Sequence, residues 1–311
     1  MRPVLAHWSA LWPVIAIYAV VAGAHLAGAL RGRPGRVVAV APGMPDTAAS
    51  RHAVTREVWL FQAGLLLALL AIVSPMRYWS GVYIWVRALQ DLLLAVLAPG
   101  LIVLGAPWTA LASSLGRLRP PPEAPGRPVA EAPGEQTARS RPWWLRWPVA
   151  TVVAFNVIWL GWHVPALFDR VPVSAVAAAA EYVLYLAAGI LFWLQVIGSR
   201  PWSAGAAPLR AVELLIGTLA ADTILGMVLV FGSGVVYHSY ANSAHHVMTV
   251  LDDQQLAGAV LWMGLLPPMI AAAVAVLIRW LNDEESHALS TGIDQLLTPR
   301  SSAWPSRPRF R

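Results

Sequence analysis

Seven runs of apolar residues, each near the length of a membrane crossing, constrain this chain more than any other feature. They cover about Trp8–Leu30, Val58–Val73, Tyr83–Leu104, Val149–Phe168, Val173–Ile197, Leu209–Phe231 and Leu256–Leu281. A bilayer core of about 30 Å is crossed by roughly 20 apolar residues in a helix. In that solvent every backbone N–H and C=O must be paired within the chain, so helices follow from the pattern. The expected fold is all-α: an integral membrane bundle of about seven transmembrane helices over residues 1–281, followed by a polar tail, 282–311.

Charge sets the orientation. Only 12% of the residues are charged and 58% are hydrophobic, where a soluble domain carries about 25% charged residues. The 22 basic residues are all arginine, which excludes Schiff-base chemistry and so a retinal protein. There is no cysteine, hence no disulfide and no thiolate metal site. The arginines gather in alternate links: five in 31–57, six in 105–148 and two around 198–210, against one, one and none in 74–82, 169–172 and 232–255. The positive-inside rule then puts the N-terminus outside and the C-terminus inside. Arginines placed this way explain the +6 net charge without nucleic acid. Arg119–Pro142, rich in proline and poor in large apolar residues, is expected as a disordered cytoplasmic linker, with Trp143, Trp144 and Trp147 as an interface anchor after it. The first run carries an Ala27-Gly28-Ala29 that mimics a cleavage site, but its basic residues follow the apolar core, so a helix is expected.

Ionisable groups inside such runs are costly and mark function by default. Arg87 and Asp91 lie four apart in the third run, one helical face, with Gln90 beside them. His163, Glu181 and Asp222 interrupt the fourth, fifth and sixth runs. These positions predict an intramembrane polar pocket of Arg87, Gln90, Asp91, Glu181 and Asp222. Pro165 is expected to loosen the turn after His163 and free carbonyls for ligands or water. The external segment 232–255 holds His238, His245, His246, Asp252 and Asp253. As one helix over Val235–Ala257 it would put His238, Asn242, His245, Thr249 and Asp252 on one face, closing over the pocket. Either this is an amphipathic interfacial helix with solvated histidines, or its imidazoles face inward as ligands. No H-E-x-x-H spacing favours the second.

Four segments together resemble the CtaG-type cytochrome c oxidase assembly factors. They are Q-D-L-L-L-A-V-L-A-P-G-L-I-V-L-G-A-P at Gln90–Pro107, W-H-V-P-A-L-F-D at Trp162–Asp169, F-W-L-Q-V-I-G-S-R-P at Phe192–Pro201 and D-Q-Q-L-A-G-A-V-L-W at Asp253–Trp262. The resemblance implies a non-enzymatic multi-pass protein of the bacterial inner membrane. It would assist maturation of a haem–copper oxidase by helping copper reach the binuclear centre of subunit I. His163 and Asp253 match family positions, and His238, His245 and His246 are added as candidate copper ligands on chemistry alone. The third run departs from the family, which commonly has a histidine pair where this chain has Arg87 and Asp91. Guanidinium cannot ligate, and carboxylate suits Cu(I) poorly. Two other functions fit the intramembrane acids: a proton- or metal-ion-coupled transporter, or a membrane redox subunit.

Overall fold

The computed structural model of the protein describes residues 8, 11–31, 48–114, 142–240 and 247–297. It is helical throughout, with no strand among these residues. Six helices are long and apolar enough to span a membrane. They are α1 (Trp12–Arg31), α2 (Ala48–Val73), α3 (Ile84–Leu104), α5 (Ala175–Val196), α6 (Pro208–Phe231) and α7 (Val250–Leu297). Between them α4 (Pro148–Trp162) is a shorter apolar helix of 15 residues.

The expected fourth run thus breaks inside Val149–Phe168. His163 caps α4, and Pro165 opens a separate turn, Pro165–Phe168. The carbonyls expected to be freed there go to protein groups. The His163 ring takes that of Trp159 at 2.8 Å, and the Tyr237 hydroxyl donates to that of His163 at 3.0 Å.

Helix α3 is the centre of the bundle. In its most apolar window 78% of the residues are buried, against 17–39% for the other five spans. It contains a π-helical stretch, Leu93–Leu97, just before Pro99. Proline has no N–H to give to the preceding turn, and such a stretch absorbs the mismatch. The Val96 carbonyl in this stretch accepts the Trp193 indole N–H of α5 at 2.8 Å. Gly189 lets α5 approach this turn closely, since a Cβ there would lie 2.2 Å from the Ala95 carbonyl oxygen. The first amides of α3 are capped from the far end of the sequence. Asp253 of α7 accepts Ile84 N–H at 2.8 Å and Trp85 N–H at 3.0 Å, one on each carboxylate oxygen. A carboxylate at a helix N-terminus satisfies orphan donors and opposes the helix dipole.

The remaining helices are clipped around α3. Gly226 and Gly258 bring α6 and α7 into backbone contact. Asn156 of α4 donates to Thr218 of α6 at 3.0 Å. At one end of the bundle Ser199 donates to the Val103 carbonyl and accepts the Trp108 indole N–H, while Arg200 pairs with Glu57. At the other end the links after α2, α4 and α6 meet: Tyr240 donates to the Ser80 carbonyl at 2.8 Å, and Asp169 accepts the Ser239 hydroxyl at 2.8 Å. Outside this core Ile17, Val20, Val176, Ile224 and Phe231 are exposed, as lipid-facing side chains are. Trp143 and Trp147 are also exposed, around a fully buried Leu145, which suits an interface anchor.

One further expectation changes in this frame. The continuous helix over Val235–Ala257 does not form. Residues His238–Tyr240 make a single 3₁₀ turn and α7 starts only at Val250, because Tyr237 and Tyr240 are both drawn into the bundle. Helix α7 also continues past residue 281 to Leu297, with no proline to stop it there. The expected linker from Arg119 to Arg141, and the end of the tail after Leu297, lie outside the described residues.

Candidate functional site

The polar residues of the spans converge at the end of the bundle carrying the 232–249 link. Arg87 of α3 is ion-paired with Glu181 of α5, both side chains almost wholly buried. Asp91 lies one turn along α3, its Oδ2 3.8 Å from Arg87 Nε. The same oxygen is 3.9 Å from His163 Nε2. His163 Nδ1 faces the Trp159 carbonyl at 2.8 Å. The ring must donate there, which leaves Nε2 as an acceptor turned toward another acceptor. Asp91 Oδ1 and Oδ2, His163 Nε2 and Tyr185 Oη have no hydrogen-bond partner among the described residues. With Arg87 the only cation against two carboxylates, this is a tightly held electrostatic cluster.

Aromatic side chains seal it. The Arg87 guanidinium lies 4.3 Å from the centre of the Phe168 ring, a cation–π arrangement. Phe168 stacks on Tyr237 with centroids 3.9 Å apart, and Tyr240 lies beyond it at 5.9 Å. Burial pushes the phenols of Tyr237 and Tyr240 above their ordinary pKa. The link is pinned from below as well, because Asp169 accepts the N–H groups of His238 and Ser239 at 3.3 and 3.2 Å. Gln254 holds its other limb, accepting Val236 N–H at 2.6 Å and donating to the Gly234 carbonyl at 3.1 Å.

Of the expected pocket residues, Arg87, Asp91 and Glu181 meet directly. Gln90 sits beside them, tying α3 to the Ala71 carbonyl of α2 at 2.6 Å and to Tyr182 of α5 at 3.3 Å. Asp222 stands apart and accepts the Trp159 indole N–H at 3.1 Å, so it reaches the cluster only through Trp159 and His163. The candidate ligands scatter. His163 is buried in the cluster, whereas His238 is exposed on the link. Both oxygens of Asp253 serve the α3 amides. His245 and His246 lie outside the described residues. No group of three or more His, Asp or Glu side chains gathers as a metal site among the described residues. Phe168, Asp169, Tyr185, Tyr237 and Tyr240 are additions that the sequence reading missed. Tyr185 was findable, being one turn from Glu181 on the same face of α5.

The profile of the cytochrome c oxidase caa3 assembly factors (Caa3_CtaG) matches residues 37–283, most of the chain. The chain belongs to this family. No curated protein and no solved structure matches it. As a caa3 assembly factor it is a multi-pass membrane protein with a role in oxidase assembly, and the match takes in α2 to α6, α7 as far as Asp283, and the whole buried cluster. The family-like segments now have physical jobs in this caa3 assembly factor. Asp253 and Gln254 fasten α7 to α3 and to the link, Ser199 ties the other end together, and Asp169 pins the plug.

Proposed function

We propose that this caa3 assembly factor assists maturation of the copper centre in oxidase subunit I, at the outer face of the bacterial cytoplasmic membrane and without catalysis of its own. The observation that carries the reading is the family match across residues 37–283. A structural part for the interior is supported by the buried Arg87–Glu181 pair between α3 and α5 and by the buried Tyr237 and Tyr240 of the link over it. Copper is cargo here. The buried cluster suits it poorly, because it offers one imidazole nitrogen and a carboxylate beside a guanidinium. The handover is then assigned to the external histidines: His238, which is exposed, together with His245 and His246.

The test is deletion of the gene. Oxidase activity and copper content of subunit I should fall while its transcript is unchanged, and subunit I should co-purify with the tagged protein. Normal oxidase with impaired solute uptake would instead identify a transporter built on Asp222, Asp91 and Glu181. A His238→Ala, His245→Ala, His246→Ala variant should fold normally and fail to restore the oxidase.

A further inference from the structure

Next to the sealed cluster, at the same end of the bundle, lies a cleft of about 110 Å³. It is lined by Arg77, Ser80, Gly81 and Arg87 on one side and by Val171, Pro172, Ala178 and Tyr182 on the other. Two guanidiniums line it and no carboxylate does. Glu181 and Asp91 hold Arg87 but are not part of the cleft wall. Arg77 is half-buried and forms no ion pair among the described residues, whereas Arg87, Arg200 and Arg210 each have a carboxylate partner. The Tyr182 ring lies 6.0 Å from its guanidinium carbon. A concave wall carrying one sign of charge selects the opposite sign.

We propose that this cleft binds the phosphodiester of an anionic membrane lipid, with Arg77 supplying the charge. Size limits the occupant to a compact anionic group, since sites for drug-sized ligands run to ~300–1,000 Å³. Depth points to a lipid. Arg77 lies in the link joining two spans, next to an aromatic group of Tyr78, Trp79 and Tyr83 with centroids 5.2 and 5.8 Å apart. Such rings mark the headgroup level. The wall of Val171, Pro172 and Ala178 accepts the glycerol carbons that a free phosphate lacks. A choline head would add a cation beside Arg77, so phosphatidylglycerol is favoured over phosphatidylcholine.

The experiment is native mass spectrometry of the full chain in detergent, titrated separately with phosphatidylglycerol, phosphatidylcholine and inorganic phosphate. The wild type should retain one phosphatidylglycerol, with phosphatidylcholine held at least fivefold less and millimolar phosphate failing to displace the lipid. Arg77→Gln should lose about tenfold in retention. Arg77→Lys, which keeps the charge, should recover most of it, and Arg210→Gln should change nothing. Equal retention by Arg77→Gln would overturn the proposal. Displacement by inorganic phosphate would overturn it too, because the site would then belong to a soluble anion. Thermal melts of each variant separate loss of the site from loss of fold.

Discussion

Glu181 of α5 is the close ion-pair partner of Arg87 of α3, and this contact joins the two helices at the end of the bundle that carries the link. Asp91, on the same helix as Arg87, stands 3.8 Å off as a second carboxylate. One guanidinium therefore serves two acids.

That imbalance orders the consequences of substitution. Arg87→Met leaves both carboxylates buried without a cation and should cost about 3–5 kcal/mol, the range for orphaning one side of a buried pair. Glu181→Gln or Asp91→Asn brings the cluster to balance and should cost only about 1–2 kcal/mol, through a weaker hydrogen bond or lost attraction. Thermal unfolding in detergent reads the order. Equal losses in all three would show that charge balance does not govern the cluster.

The cap from α7 makes a separate prediction. Asp253→Ala removes both acceptors of the Ile84 and Trp85 amides and should destabilise by about 1–2 kcal/mol. Asp253→Asn keeps one acceptor and should cost less. Hydrogen exchange should speed up in the peptide covering residues 83–88, while the peptide over α5 stays protected.

Two glycine types should part company. A Cβ on Gly226 would stand 2.8 Å from Trp262 Cβ and 3.0 Å from the Gly258 carbonyl oxygen. Gly226→Ala should then prise α6 from α7 and lower stability by about 1–3 kcal/mol. Gly217, on the same helix, has nothing within 4 Å of the added atom. Gly217→Ala should be neutral or stabilise by up to about 1 kcal/mol. A pair of melting curves decides it.

Trp193→Phe keeps an aromatic ring near α3, though a smaller one, and deletes the indole donor to the Val96 carbonyl. The orphaned carbonyl in the π-helical stretch should cost about 1–3 kcal/mol. A melting temperature equal to wild type would mean that α3 repairs its own hydrogen bonding there.

The long apolar helices were legible because bilayer thickness writes itself into the length of each apolar run, and the resemblance was legible in four short segments. Arg87 with Asp91 was visible for a related reason, as spacing of four is a property of one helix. Glu181 was visible as a pocket residue, but its pairing with Arg87 was not, because a pair made between helices leaves no spacing to read. The link failed for a different cause. Nothing in Val235–Ala257 forbids a helix, yet packing of Tyr237 against Phe168 and of Tyr240 under Ser80 outweighs local preference. Asp253 had the chemistry of a ligand and the position of a cap, and only the neighbouring amides of Ile84 and Trp85 tell the two apart.

The cap also sets an order of events during synthesis. Ile84 is made 169 residues before the carboxylate that completes its helix. Until the ribosome has delivered Asp253, the leading amides of the central helix must be hydrated or held by the insertion machinery. Helix α3 can enter the membrane early, but its first turn cannot be finished until α7 arrives. A chain stopped after α6 would carry its innermost helix left open at one end, and quality-control proteases would meet it in that state.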